Sequence, residues 1–505
     1  VDSQTFLTRL FGPGPTGDRG ALWPRWIFLR ALGLIFFSVF YSLAFQIKGL
    51  IGLNGLLPAG VYLELVRHAM TGLSRFWYAP TLLWLGNGNG ALMALVGGGL
   101  IASVLLTLNL WPRGMIAVCL GLFLSFIGAA QDFSSYQSDG MLLEAAFLCL
   151  FFAPRGFRPG LGADQPPSRA SLFLLRWEWF RIYFESGVVK LASGDPQWRD
   201  LTAMNHYYEN GPLPSWIGWY VQQRLPQSFH AGTALVTLIV ELVLVWLAWL
   251  PRPFRLACFT ICTLLQVGII ATANYAFLNY LVFALGFLLL DDGIFAQFPR
   301  RWLRISEPGM IRPMARWRMV GAAVVAVWIF YATLVPWIAG RNPVLAAPAR
   351  VLDPFRVANQ YGLFAVMTRE RDEIEFQGSR DGVTWVAYPF RYKPQNLREA
   401  PGVYAPYQPR FEWNLWFASL GPLSQSSWVE STEIRLLEGS PDVLALFRRD
   451  PFAGSPPPLV RAVLWQYGFT TPAEKRRTGN WWWRKDLGLY APVMERKADG
   501  SIAMR

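Results

Sequence analysis

Apolar residues gather into nine runs near bilayer length, at 26–46, 90–109, 114–131, 138–153, 171–192, 229–250, 254–273, 275–290 and 318–339. About twenty consecutive apolar residues suffice for a helix to cross hydrocarbon, so each run is expected to span. The fourth and eighth runs are short, and the fourth carries Asp139 and Glu144, so each also reads as a re-entrant or tilted half-span. Between the first two runs, Gly52–Asn89 reads as an amphipathic surface helix followed by a turn rich in Pro, Gly and Asn. After Gly340 the pattern shifts to charge, proline and alternation. Glu373–Tyr392 contains two strand-like pieces around Asp381-Gly382, a hairpin signal, and Thr432–Leu437 is strand-like as well. The expected fold is therefore a polytopic α-helical membrane protein of about nine spans with a C-terminal exoplasmic β-rich domain.

The divisions follow: 1–25 a cytoplasmic N-terminal segment, 26–339 the multi-span domain with exoplasmic loops at 47–89 and 193–228, 340–440 a β-sandwich-like domain, and 441–505 a basic and aromatic extension. The first run is long and lacks a small-residue cleavage site, so it reads as an anchor and not as a signal peptide. About fifteen Lys and Arg fall in the N-terminal segment and the connections near 113, 155–169, 252–255 and 300–318, against about five on the other side. That bias places the polar connections 132–139 and 193–228 and the C-terminal domain together on the exoplasmic face.

Composition sharpens this picture. Of 505 residues, 53% are apolar, 15% aromatic and only 16% charged, which excludes an ordinary soluble domain. The net charge of +13 would suggest nucleic acid in a soluble chain, but here it comes largely from Arg between apolar runs, so nucleic acid is not an expected partner and the bilayer is. Four cysteines, all inside apolar runs, and three histidines give neither a disulfide framework nor a metal-ligand pattern. There is no GxSxG elbow, no P-loop and no dinucleotide motif.

The densest chemistry runs from Arg176 to Arg224. The fifth apolar run carries Glu178, Arg181, Glu185 and Lys190, which hydrocarbon would exclude, so that helix must face protein or water. Glu178, Arg181 and Glu185 share one face at i, i+3, i+7 spacing, where Arg181 can bridge both carboxylates as a structural cluster. Asp139 and Glu144 read either as a second carboxylate site or as partners of an Arg on a neighbouring helix, with Arg181 a candidate, and Glu241, alone in an apolar span, needs an interhelical partner such as Gln266. Lys190 reads either as a helix-end lysine snorkelling to the interface or as a base in a desolvated pocket. Asp195, Arg199, Asp200, His206 and Glu209 form either an acid-base cluster or a network that fixes the loop. Trp198, Tyr207 and Tyr208 favour an ordered segment at the interface.

Gly194-Asp195-Pro196-Gln197-Trp198-Arg199-Asp200-Leu201-Thr202, followed by the pattern from His206 to Tyr220, resembles the lipase maturation factor family. The stretch Tyr407-Gln408-Pro409-Arg410-Phe411-Glu412-Trp413-Asn414-Leu415-Trp416-Phe417-Ala418 is similar to a second signature of that family, Tyr467–Trp482 is similar to its ending, and Tyr136–Gly140 adds a fourth stretch. The resemblance implies a chaperone-like factor that assists folding or assembly of exported proteins such as secreted lipases, with no cofactor. Asp139, Asp195, Trp198, Arg199, Asp200, His206, Tyr207, Tyr208, Glu209, Arg410, Trp413 and Trp416 are the expected client- or ligand-binding residues. The exoplasmic part lacks the cysteines that members in the secretory pathway carry, which favours a bacterial inner membrane over the endoplasmic reticulum.

A fainter similarity links Gly187-Val188-Val189-Lys190-Leu191, with Asp195 and Trp198, to vitamin K-dependent γ-carboxylases. There the second lysine of a Gly-Val-Lys-Lys-Leu segment is the catalytic base. Lys190 matches it, whereas Val189 stands at the first lysine. This implies the rival reading, a membrane enzyme acting on a quinone or other lipid-like molecule or on a client. The rival expects an apolar tunnel reaching Lys190 from the bilayer, and a chaperone expects an open aromatic groove. A transporter would need paired broken helices, which the chain lacks.

Overall fold

A computed structural model describes residues 3–295, 315–338 and 342–505 of the chain. Among the described residues, nine principal helices coincide with the nine apolar runs: α1 Leu22–Ile51, α2 Asn89–Thr107, α3 Pro112–Ile127, α4 Gln137–Phe152, α5 Arg169–Ala192, α6 Gln227–Leu242, α7 Arg252–Thr272, α8 Leu278–Gly286 and α9 Arg316–Ile338. Among the described residues, five helical stretches are long and apolar enough to cross a membrane: Gly17–Ile51, Asn89–Thr107, Gln227–Trp249, Arg252–Thr272 and Arg316–Ile338. The stretches Pro112–Ile127 and Leu278–Leu289 are apolar but shorter. The chain is thus multi-pass, with five helices that meet the criterion where nine spans are expected. The basic connection at 300–318 lies largely outside the described residues, as does Gly340.

The remaining two helices, α4 and α5, form the centre. From Asp139 to Ala146 every residue of α4 is buried, and α5 buries Glu178, Arg181, Glu185 and Lys190. A helix so charged is stable in a membrane only when other helices shield it, and α4, α6, α8 and α9 pack against α5. By contrast α6 and α7 expose Val236, Ile239, Leu264 and Val267, as lipid-facing helices do. The amphipathic helix expected after the first run is present at Ala59–Ala69.

The C-terminal domain corrects two expectations. It holds one sheet in place of a sandwich: β1 Arg371–Ser379, β2 Trp385–Ala387, β3 Leu459–Phe469, β4 Trp482–Arg496 and β5 Ile502–Met504, antiparallel in the order β2-β1-β3-β4-β5. Its two longest strands come from beyond residue 440, so the sheet draws on both sides of that position. Thr432–Leu437, expected as a strand, is the end of a helix, α11 Trp428–Leu437, which lies on β3 and β4. Short apolar runs are ambiguous between buried helix and buried strand, and packing decided the matter here. The hairpin at Asp381-Gly382 is as expected: Asp381 accepts from the N–H groups of Val383 and Thr384 at 2.8 and 2.7 Å, and Gly382 supplies φ +75°.

Candidate functional site

The segments that carry the family-like signatures meet at one seam between the helices and the C-terminal domain. The Tyr407–Ala418 stretch opens helix α10, Arg410–Ser419, whose first residue is fully buried. Arg410 donates from Nη1 to Asp139 Oδ2 and from Nη2 to Asp139 Oδ1, each at 2.8 Å, and from Nη1 to the Phe133 carbonyl at 2.8 Å. Its guanidinium lies over the rings of Phe126 and Tyr136. Two parallel charge-assisted bonds fix orientation as well as distance. Trp413 packs edge-on against Tyr136, with ring centroids 6.2 Å apart.

One turn further along α4, Glu144 pairs with Arg181 of α5 and accepts from the Asn359 N–H at 2.7 Å. Arg181 also donates to the Asn359 carbonyl, and its ion pair to Glu185 is looser, at 3.9 Å. Glu185 is instead held by the Tyr361 N–H at 2.6 Å and Trp337 Nε1 at 2.9 Å. Glu178 makes no ion pair with Arg181 among the described residues, so the expected double bridge on one face is replaced by a link across helices.

The Gly194–Thr202 segment is the other half of the seam. Gly194 leaves α5 at φ +81°, a region that a β-carbon disfavours. Asp195 then caps the short helix Pro196–Arg199, accepting from Gln197 N–H at 3.0 Å and from Met367 N–H at 2.7 Å. Trp198 Nε1 donates to the Phe364 carbonyl at 2.9 Å. Glu209 accepts from Phe469 N–H at 2.9 Å and pairs with His206 Nδ1 at 2.8 Å, and that hydrogen bond raises the His206 pKa. Arg371 of β1 donates to the carbonyls of Glu209, Gly211 and Pro212.

Most of the expected client-binding residues thus lie inside the molecule. Asp139, Asp195, Trp198, Tyr207, Tyr208, Glu209, Arg410, Trp413 and Trp416 are buried, while Arg199 and Asp200 are exposed and His206 is half-exposed. Asp195, Arg199, Asp200, His206 and Glu209 do not form one cluster: His206 and Glu209 pair with each other, Asp195 holds Met367, Glu209 also holds Phe469, and Arg199 donates to the Leu191 carbonyl at 3.3 Å. Asp195 and Glu209 each tie the loop to the C-terminal half of the chain. Asn359, Tyr361, Arg371 and Asn274 complete the seam and were not legible beforehand. Asn274 accepts from the N–H groups of Tyr404 and Ala405 and donates to the Gly402 carbonyl. Each has a partner more than a hundred residues away, so no local pattern marks them.

Lys190 sits apart from the seam's ion pairs. Its ammonium donates to both oxygens of Glu241 at 2.7 Å and lies 5.1 Å from the centre of the Trp198 ring. Glu241 therefore pairs with Lys190 and not with Gln266, which donates to Tyr183 Oη at 2.9 Å. An apolar cavity of about 280 Å³ does reach this pair, between α5, α6 and α7. A cavity specifies a ligand, not a reaction, and Lys190 is paired with the Glu241 carboxylate through two of its three N–H donors.

Within the C-terminal sheet, β4 presents an edge. β5 pairs only with Met494–Arg496, so among the described residues 483–491 have β3 as their one strand neighbour, with a register shift at Leu487 where the Gly488 N–H donates to Asp486 Oδ1 at 2.7 Å. Trp483, Leu487 and Leu489 are 43%, 41% and 55% exposed there. A strand edge with no second neighbour and with exposed apolar side chains is a template for another extended segment.

A helical membrane bundle sealed by buried ion pairs to a domain with an open strand edge defines a polytopic membrane scaffold. Residues 23–297 match the lipase maturation factor transmembrane domain and residues 357–492 the lipase maturation factor C-terminal domain. The chain belongs to the lipase maturation factor family. It is 32% identical to lipase maturation factor 1 of Mus musculus, over 94% of this chain and 88% of that protein. It is 32% identical to lipase maturation factor 2 of Gallus gallus, over 92% and 80%, and 30% identical to lipase maturation factor 1 of Homo sapiens, over 96% and 91%. These relatives are vertebrate proteins and lend no support to a bacterial inner membrane, and none of them supports the γ-carboxylase alternative. No solved structure matches the chain.

Proposed function

We propose that this chain is a membrane-bound maturation factor that holds exported proteins, lipases among them, while they fold or assemble. The observation that carries the reading is the open edge of β4 in a protein whose relatives are named for lipase maturation. A partly folded client strand added to that edge would satisfy its own backbone groups and cover Leu487 and Leu489, and release would follow once the client closes its own sheet. The buried seam then serves to hold the edge at a fixed place relative to the membrane. The excess of Lys and Arg in the opposite connections supports an exoplasmic position for this domain, the face where exported clients fold. Neither a cofactor nor a metal has a part in this reading.

The test is co-expression with a secreted lipase and measurement of its activity in the medium. Leu487→Lys with Leu489→Lys should lower secreted activity about tenfold while the chain's own abundance is unchanged. Unaltered lipase activity in that variant removes the β4 edge from the mechanism. Unaltered activity when the whole chain is absent overturns the maturation role.

A further inference from the structure

The cavity beside Lys190 opens on the lipid-facing side of the bundle. Gly268 and Leu264 of α7 line it and are exposed at the surface, Leu264 by 67%, and Thr237 of α6 lines it half-buried. Around that opening the outer faces of α6 and α7 are apolar, with Val236 54% and Val267 51% exposed. A molecule dissolved in the bilayer can therefore enter sideways without crossing water.

Its inner end is polar but carries no free charge. Lys190 and Glu241 neutralise each other through two bonds of 2.7 Å. Three further polar groups line the cavity with no hydrogen-bond partner among the described residues: the acceptor Gln266 Oε1, the donor Asn279 Nδ2 and the Tyr275 hydroxyl, on residues 6%, 9% and 8% exposed. Buried polar atoms left unpaired are costly, and an unpaired acceptor and donor facing one cavity are matched by a ligand that supplies both. A hydroxyl donates and accepts. A quinone carbonyl only accepts, and a fatty carboxylate would bring an uncompensated charge next to an already neutral pair.

The volume narrows the ligand further. At about 280 Å³ the cavity is at the lower end of small-molecule sites, which run roughly from 300 to 1,000 Å³. One apolar chain fits this space better than the paired chains of a phospholipid. We propose that the cavity is a lateral binding site for a neutral, single-chain lipid with a hydroxylated head, of the monoacylglycerol class. The chain lies along Ile269 and Val282, and the head meets Gln266 and Asn279. This site is independent of the β4 edge, and its occupation needs no reaction at Lys190.

The experiment uses the full chain in detergent or nanodiscs with a photoreactive, alkyne-tagged monoacylglycerol, and mass spectrometry maps the labelled peptides. Labelling should saturate, concentrate on α5, α6 and α7, and fall about tenfold with excess unlabelled monoacylglycerol. Gly268→Phe should block it to the same extent, because a β-carbon at Gly268 meets nothing within 4 Å and the added ring projects at the opening. Gln266→Leu with Asn279→Leu should weaken competition by the hydroxylated lipid. Unsaturable labelling spread over all lipid-facing helices overturns the site. Equal competition by a fatty acid or by a quinone overturns the assignment of the head. The wild-type competition decides the matter even where a variant fails to fold.

Discussion

Arg410 and Asp139, 271 positions apart in the chain, meet through two parallel hydrogen bonds of 2.8 Å with both side chains essentially sealed from solvent. Removing one partner of such a pair strands a charge, at a cost of about 3–5 kcal/mol. Arg410→Ala and Asp139→Ala should each destabilise the chain by about that amount, read as thermal unfolding in detergent. Arg410→Lys should recover little, since an ammonium cannot reproduce the bidentate fork. A lysine variant as stable as the parent would show that charge alone holds the seam.

The Lys190–Glu241 pair separates a structural role from a chemical one. Lys190→Met or Glu241→Leu alone should cost about 3–5 kcal/mol, while the double variant should unfold close to the parent temperature, because apolar replacement of a buried pair is often neutral. Secreted lipase activity should follow stability and return in the double variant. A well-folded double variant that has lost all maturation activity would point to chemistry at Lys190.

Glu433 of α11 is fully buried in the C-terminal domain, and burial, with the Glu430 charge adding to it and the Ala462 N–H offsetting only part, pushes its pKa up to about 9. A folded-state pKa above the ordinary value of 4.5 means that the native chain binds the extra proton between those two pH values. Its contribution to stability is complete below 4.5 and is lost as pH rises through about 9. Glu433→Met should therefore flatten the alkaline fall in unfolding temperature, with a larger gain at pH 9 than at pH 5. A gain independent of pH would contradict a titrating Glu433.

Two helical glycines should respond oppositely to alanine. At Gly187 of α5 an added β-carbon would lie 2.8 Å from Leu242 and 3.0 Å from Glu241 Cβ, so Gly187→Ala should destabilise by about 1–3 kcal/mol despite better helix propensity. At Gly268 nothing stands within 4 Å, and Gly268→Ala should stabilise by up to about 1 kcal/mol. Thermal unfolding of both variants checks the pair. Stabilisation by Gly187→Ala would show that α5 and α6 approach less closely.

The apolar runs determined where the helices lie, because hydrocarbon-length hydrophobicity is a local property and needs no knowledge of partners. The charges of α5 determined that it is shielded by protein, since burying them against lipid is prohibitively costly. The Asp381-Gly382 turn was legible for the same local reason. What the sequence could not decide was pairing. Arg181 selected Glu144 across helices over Glu178 on its own face, Lys190 selected Glu241, and Arg410 selected Asp139. The signature residues stood out as polar and aromatic, and only the tertiary structure turned them inward to join two halves of the molecule. Thr432–Leu437 became helix because α11 lies on the sheet, and the sheet recruited β3 and β4 from a segment that carries no strong alternation. The open edge of β4 and the lateral cavity exist only between elements brought together by folding. Contacts that span hundreds of residues are set by the sum of packing and charge compensation over the whole chain, and no short window of sequence contains that sum.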